Sequence, residues 1–147
     1  MKTVANNRRA RYDYEILDTI EAGIRLTGAE VKSCRAGNVH LGGSYVLLLG
    51  DAPIIRGMKI AKYAYASGSD DDEHVGRDRP LLLKKSELER LQTELNEKGV
   101  TVIPLEVRAG KYIKVLIGIG RGKKRFDKRQ KKKEADIGRR LREGREI

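Results

Sequence analysis

Two basic stretches hold the side chains best suited to chemistry with an anionic partner. The first, NNRRARYDY, begins at residue 6 and places three arginines beside Tyr12 and Tyr14. Guanidinium groups bind phosphates through paired hydrogen bonds, and tyrosine rings stack on the splayed bases of RNA loops. A basic leader followed by core tyrosines would give the same pattern, so this stretch alone leaves both interpretations open.

The second stretch, GRGKKRFDKRQKKK, begins at Gly120 and holds nine Lys or Arg in fourteen positions. It also contains Phe126, whose ring has no obvious core to enter, and exposed aromatic rings among cations suit stacking on bases. A solvated tail is the competing interpretation, because most charge runs lie on the surface or at chain ends.

The net charge of +11 is concentrated at one end of the chain. Residues 121–147 contain thirteen Lys or Arg and five Asp or Glu, a net charge of +8, whereas residues 1–120 contain 19 and 16, a net charge of +3. A protein that docks on phosphates needs such an asymmetry, and a merely soluble one does not. The sequence therefore predicts a body, residues 1–120, followed by a basic tail, residues 121–147.

No catalytic or metal-binding constellation is recognisable. There is no P-loop and no Gly-x-Ser-x-Gly motif, and the one cysteine and two histidines are too widely spaced for a metal cage. The acidic run at residues 70–72 is typical of a solvent-facing loop, and Cys34 follows a helical pattern that favours packing over nucleophilic chemistry. We therefore expect no enzyme, no cofactor and no metal.

The cellular location is predicted from what the chain lacks. A single cysteine cannot form an internal disulfide, which suits a reducing compartment. The N-terminus is polar and basic without an apolar core, and no apolar run reaches about 18 residues. These features predict a cytoplasmic protein with no membrane partner.

Alternation and turn signals predict some six antiparallel strands. Two runs are expected to join through a turn at residues 21–23, and hairpins are expected around residues 50–51 and 109–110. Residues 61–80 are polar and predict a mobile surface loop. The last strand places four apolar residues on one face: Ile113, Val115, Ile117 and Ile119.

Two short helices are expected between these strands. Thr27 and Glu30 fit a capping box that starts the first helix, and Ser86 with Glu89 fits another that starts the second, which ends at Gly99. Antiparallel strands with short helices favour a closed barrel over a sandwich, because a barrel removes exposed strand edges. The fold class predicted is mainly β, an oligonucleotide-binding-type barrel.

Several stretches, in order from Asn7 to Arg129, resemble the SsrA-binding protein (small protein B) family of bacteria. They are NRRAR, YDY, EAG, LTGAEVKS, RAGNV, SYV, LLLKKSEL, KGVTVIPLEV, KVLIGIGRGKK and DKR. The resemblance implies an oligonucleotide-binding barrel with a tail that is disordered when free. It also implies an adaptor that binds transfer-messenger RNA and delivers it to stalled ribosomes, with elongation factor Tu an indirect partner through the charged RNA.

Carried over by position, the resemblance places the RNA-binding residues on the body. Glu21 repels phosphate, so its implied role is to accept hydrogen bonds from base or backbone donors; a strand-end charge is the alternative. Leu82 is implied to contact RNA, although a core leucine would look identical in sequence. The implied RNA-binding residues are Asn7, Arg8, Arg11, Glu21, Leu82 and Lys114.

The resemblance assigns the basic tail to the ribosome. Its cations are implied to meet ribosomal RNA phosphates in the decoding region, and Phe126 is implied to stack on a base there. Residues beyond the DKR motif are expected to form a helix in the empty mRNA channel. The implied ribosome-contacting residues are Arg121, Lys123, Lys124, Phe126, Asp127, Lys128 and Arg129.

The chain departs from the family pattern at a few positions. His40, Gly43 and Pro80 stand where relatives usually carry other residues, and the altered loop leaves any RNA role of His74 or Arg77 open. The main alternative is another barrel-type RNA-binding translation protein, such as a ribosomal protein or an initiation factor. An RNA-processing enzyme is more remote, since it would need carboxylates or a histidine pair converging on one face.

Overall fold

The computed structural model describes residues 2–61 and 75–123. None of the helices in these two ranges has the length and apolar character that crossing a membrane requires. The elements in chain order are β1 (Lys2–Asn6), α1 (Arg8–Asp13), β2 (Tyr14–Ile24), α2 (Gly28–Arg35), β3 (Val39–His40), β4 (Tyr45–Leu49), β5 (Ala52–Arg56), β6 (Lys59–Ile60), β7 (Arg79–Leu82), α3 (Lys85–Leu95), β8 (Val100–Ala109) and β9 (Ile113–Gly122).

Six strands close into an antiparallel ring. Neighbouring strands follow the order β8, β4, β5, β7, β2, β9, and β9 pairs back onto β8. Strand β1 pairs with the second half of β8, and β3 pairs separately with β6. The ring agrees with the predicted barrel of about six strands, and it includes both predicted hairpins, β4–β5 and β8–β9.

The inside of the ring holds the main apolar core. The four alternating residues predicted for the last strand all point into it, and none is more than 6% exposed. Cys34 of α2 and Leu91 of α3 are fully buried in the same core. Cys34 thus packs in the core as its helical pattern predicted, and burial raises the pKa of its thiol to about 11.

A second, smaller cluster lies beneath α1. Ala10 packs there against Ile103 and Leu105 of β8, with Leu116 at its edge. Gly118 of β9 makes the cluster possible, because a Cβ at that position would lie 2.7 Å from Leu105 Cδ1. Helix α1 is therefore fastened to the β8–β9 hairpin by its own patch of apolar contacts.

The predicted turn at residues 21–23 is wrong, because β2 is one continuous strand. Glu21, Ala22 and Gly23 pair in register with Leu116, Val115 and Lys114 of β9. The glycine that suggested a turn serves another purpose: a Cβ at Gly23 would lie 3.1 Å from the Cβ of Leu82 on β7. Because Gly23 has no side chain, the neighbouring strand β7 has room for the side chain of Leu82.

The helix ends were predicted with mixed success. Helix α2 begins at the expected capping box, in which Thr27 accepts from Glu30 N at 3.2 Å and Glu30 accepts from Thr27 N at 2.9 Å. The second capping box was placed wrongly: α3 begins at Lys85, and Glu87 accepts from Lys84 N at 2.9 Å. The stretch NNRRARYDY, for which a basic leader was one interpretation, contains the last residue of β1 and the whole of α1.

The end of the predicted loop at residues 61–80 is also structured, whereas residues 62–74 lie outside the described ranges. Arg79 is fully buried and donates to the carbonyl oxygens of Met58 (2.6 Å) and Val75 (2.9 Å) and to Glu30 Oε2. Burial acts to raise the pKa of Glu30, but hydrogen bonds from Arg77, Thr27 N and Arg79 outweigh it and lower that pKa. This buried ion pair anchors the start of β7, the strand that carries Leu82.

Candidate nucleic-acid interface

Three of the predicted RNA-binding residues meet on adjacent strands. Gly23 of β2 pairs on one side with Leu82 of β7 and on the other with Lys114 of β9. Glu21 lies two residues earlier on β2, and side chains two apart on a strand share a face. Together with the start of α3, these residues line a depression of about 630 Å³, which we call the β7 groove.

The exposure of Leu82 decides between the two interpretations of this residue. Its side chain is 52% exposed, so Leu82 does not belong to the core, whereas its neighbour Leu81 is buried. An exposed leucine over a glycine presents an apolar ridge in the groove. Such a ridge suits contact with the face of a base or a ribose.

Glu21 is held by a charged neighbour that the sequence interpretation missed. Arg108 Nη1 donates to Glu21 Oε2 at 3.2 Å, and Arg108 Nε donates to Glu106 Oε2 at 3.1 Å. Glu106 Oε1 in turn accepts from Arg11 Nη2 at 3.3 Å. A chain of four alternating charges therefore runs from α1 to the groove, and it offsets the negative charge of Glu21.

A sequence signal for Glu106 and Arg108 does exist. Both alternate with the buried residues Leu105 and Val107, so the period of two places them on the outer face of β8. The pairing of Arg108 with Glu21, however, depends on the register between β8, β9 and β2. That register cannot be read from any one strand alone.

Asn7 lies inside the protein rather than on the groove. It is 5% exposed, its Nδ2 donates to Pro104 O (2.9 Å) and Leu41 O (3.3 Å), and its Oδ1 accepts from Ala10 N (3.2 Å). Its own N–H donates to Leu105 O at 2.7 Å. Asn7 thus caps α1 and ties that helix to β8, which fits a positioning role.

The arginines of α1 lie where Asn7 places them. Arg8 is exposed to solvent, and Arg11 is half-buried in its ion pair with Glu106. Arg9 pairs with Asp13 at 3.0 Å and lies 5.6 Å from the centre of the Tyr12 ring. We call this region, residues 7–13, the α1 corner.

Two of the residues assigned to the tail are ordered against the body. Arg121 belongs to β9, where it pairs with Glu15 and Val100. Lys123 N donates to Asp13 O at 2.9 Å, and Lys123 Nζ donates to Arg11 O at 3.2 Å. Lys123, the last residue described, therefore lies beside the α1 corner.

The other predicted tail residues lie outside the described ranges, as does His74. They are Lys124, Phe126, Asp127, Lys128 and Arg129. Arg77 is described, and its guanidinium is paired with Glu30 in the network that anchors β7. Its surroundings are those of a structural ion pair.

Comparisons with known proteins agree over nearly the whole chain. Residues 4–146 match the family described as SmpB protein. The SsrA-binding protein of Thermus thermophilus is 44% identical over 97% of this chain and 99% of its own, and that of Chlorobaculum tepidum is 44% identical over 95% and 88%. The SsrA-binding protein of Coprothermobacter proteolyticus is 46% identical over 97% and 95%.

A solved structure gives the same result for the fold. It is described as "tmRNA-SmpB: a journey to the center of the bacterial ribosome". The matching chain is 44% identical, with a TM-score of 0.67 over 86% of this chain and 92% of that chain.

Proposed function

Because this chain belongs to the SmpB protein family, we infer that it is an RNA-binding adaptor that binds transfer-messenger RNA and delivers it to stalled ribosomes for trans-translation. In that process the nascent chain receives a tag and the ribosome is released. The observation that carries this inference is the match to SsrA-binding proteins over 95% or more of the chain.

We assign recognition of the RNA to the β7 groove and the α1 corner. Lys114 and Arg8 supply positive charge for phosphates, and Leu82 supplies apolar contact. Glu21 Oε2 is held by Arg108, while its Oε1 has no hydrogen-bond partner among the described residues. A fixed carboxylate oxygen with an open lone pair is suited to accept from a base amino group, a donor that bulk phosphate does not offer.

We assign contact with the ribosome to the end of β9 and the segment that follows it. Its cations repel one another in water, whereas a channel walled by RNA phosphates supplies counter-charge and releases bound counterions. The decoding region and the mRNA channel are the proposed location. Arg121, Lys123 and Lys124 are proposed to meet phosphates there, Phe126 to stack on a base, and Asp127, Lys128 and Arg129 to contact the decoding region.

The proposal includes no catalytic step. The family is one of RNA-binding proteins, and the sequence offers no constellation that would perform chemistry. Elongation factor Tu enters the proposal only through the charged RNA. The proposed location is the cytoplasm, the compartment of bacterial ribosomes.

An RNA pull-down tests the proposed function. The full chain, immobilised and mixed with a bacterial lysate, should enrich transfer-messenger RNA over the far more abundant bulk tRNA. A second column carrying Lys114→Glu should lose that enrichment, because the substitution reverses a charge in the β7 groove. Enrichment of tRNA or ribosomal RNA without preference for transfer-messenger RNA would favour a different RNA-binding translation protein.

A further inference from the structure

A second hollow adjoins the β7 groove on the α2 side of Leu82. It has a volume of about 350 Å³. Its apolar floor comes from β2, α2 and the start of β9, and Leu82 and Lys114 line both it and the β7 groove. We call it the hairpin hollow, after the tip of the β8–β9 hairpin that forms one wall. Its functional lining is Leu26, Arg35, Leu82, Lys111, Tyr112 and Lys114.

The charged side chains that line the hollow are all positive. Three cations line the hollow, and within residues 2–61 and 75–123 no carboxylate does. Tyr112 is 63% exposed, the largest exposure among the large apolar and aromatic side chains described. An apolar floor, an exposed aromatic ring with Lys111 Nζ 5.8 Å from its centre, and further cations together fit a ligand with a flat face and a negatively charged backbone, which is a nucleotide.

The backbone around Tyr112 is held in place by the fold. Arg35 of α2 donates from Nη1 to Gly110 O at 2.8 Å and from Nη2 to Lys111 O at 3.3 Å. Gly110 N donates across the turn to Tyr112 O at 3.2 Å. The hairpin tip is thus clamped to α2, so its backbone loses little conformational entropy when a ligand arrives.

We propose that the hairpin hollow receives one unstacked nucleotide of the transfer-messenger RNA. Its base stacks on Tyr112, its flanking phosphates meet Lys111 and Lys114, and Arg35 acts as a positioning residue. The inference rests on the proposed function. An RNA strand is the occupant because the hollow adjoins the β7 groove, with Leu82 and Lys114 in the lining of both, so one strand can reach both.

Gel-shift titration of the full chain with labelled transfer-messenger RNA tests this inference. Tyr112→Leu keeps apolar bulk but removes the ring, and it should weaken binding at least about five-fold, the lower end of what one stacked base contributes. Tyr112→Phe should bind within about two-fold of wild type, since a phenyl ring stacks as well. Leu49→Ala, at a position 51% exposed in β4, is the control and should leave binding unchanged.

The salt dependence of the same titration separates stacking from charge. Lys111→Ala should reduce the slope of log K against log salt by about 1, whereas Tyr112→Leu should leave that slope unchanged. Lys98→Ala, another exposed lysine, should leave both affinity and slope unchanged.

The outcomes distinguish a failure of this inference from a failure of the proposed function. If wild type prefers transfer-messenger RNA and Lys114→Ala weakens binding, but Tyr112→Leu binds like wild type, the hairpin hollow is not a nucleotide site. If wild type itself shows no preference for transfer-messenger RNA over tRNA, the proposed function fails first. A thermal unfolding midpoint matching wild type shows that each variant is folded.

Discussion

The α1 corner and the β7 groove both match positions implied in RNA binding, yet the fold uses them in opposite ways. At the corner, Asn7 is 5% exposed and Arg11 is committed to Glu106, so these side chains hold a short helix on the barrel. In the groove, backbone hydrogen bonds between β7, β2 and β9 hold the strands in place. The side chain of Leu82 therefore stays 52% exposed. Where strands pair, side chains remain available to a partner; where a helix of six residues must be fixed, the side chains that fix it do not.

We expect the largest effect from a substitution in the α1 corner, where it should lower the free energy of unfolding. Asn7→Asp keeps the helix cap but replaces the amide that donates to Leu41 O and Pro104 O with an acceptor. The buried carboxylate would face the carbonyl oxygens of Leu41 and Pro104 without donating to either, which should lower the free energy of unfolding by about 3 kcal/mol. Urea denaturation of the variant and of the wild type measures this difference in the free energy of unfolding.

Asn6→Asp is the matched control for that substitution. Asn6 is exposed at the end of β1, so the same change there should shift the free energy of unfolding by less than about 0.5 kcal/mol. Equal stability losses at both positions would mean that the buried hydrogen bonds of Asn7 do not hold the corner.

The next effect concerns charge in the groove. Glu21→Arg should weaken specific binding of transfer-messenger RNA about ten-fold or more, because it removes an acceptor held by Arg108 and places a second cation beside that arginine. Glu15→Arg, on the same strand and exposed, adds the same charge and should bind as well as wild type or better. Tighter binding by Glu21→Arg in gel shifts at every salt concentration would show that the groove reads charge alone.

A smaller effect is expected from the apolar ridge. Leu82→Ala should weaken RNA binding about five-fold, since roughly 1 kcal/mol of apolar contact is lost. Because the side chain is half exposed, the free energy of unfolding should change by less than about 1 kcal/mol. A loss of stability that accounts for the whole binding defect would return Leu82 to a structural role.

The smallest effect is at the exposed face of the corner. Arg8→Ala should reduce the slope of log K against log salt by about 1 and weaken binding to all RNAs alike. Fluorescence anisotropy with transfer-messenger RNA and tRNA measures both. A selective loss for transfer-messenger RNA would give the corner a share in specificity that the comparison assigns to the groove.

Local signals were enough for much of the fold. The capping box at Thr27 and the hairpins β4–β5 and β8–β9 were predicted because each depends on a few residues close in sequence. The inward face of β9 followed from alternation alone. The closed ring agreed with the general rule that small antiparallel sheets remove their edges.

Several errors arose where the role of a residue depends on a partner distant in sequence. Gly23 suggested a turn, but its role is to accommodate Leu82 from another strand. Arg79 lies in a polar stretch that suggested a loop, yet Glu30, 49 residues away, makes its burial possible. The link from Glu21 through Arg108 to Arg11 likewise depends on register across three strands.

The central claim is that the barrel recognises the RNA while the segment after β9 acts on the ribosome. A reconstituted tagging assay on stalled ribosomes, titrated with protein, tests it most directly. Glu21→Arg should shift the titration to higher concentration by its loss of affinity and still reach the wild-type plateau. Replacing Asp127, Lys128 and Arg129 with alanine should abolish the plateau at every concentration while gel shifts remain normal. A triple variant whose tagging recovers at high concentration would contradict the claim, because the segment would then be only an RNA anchor.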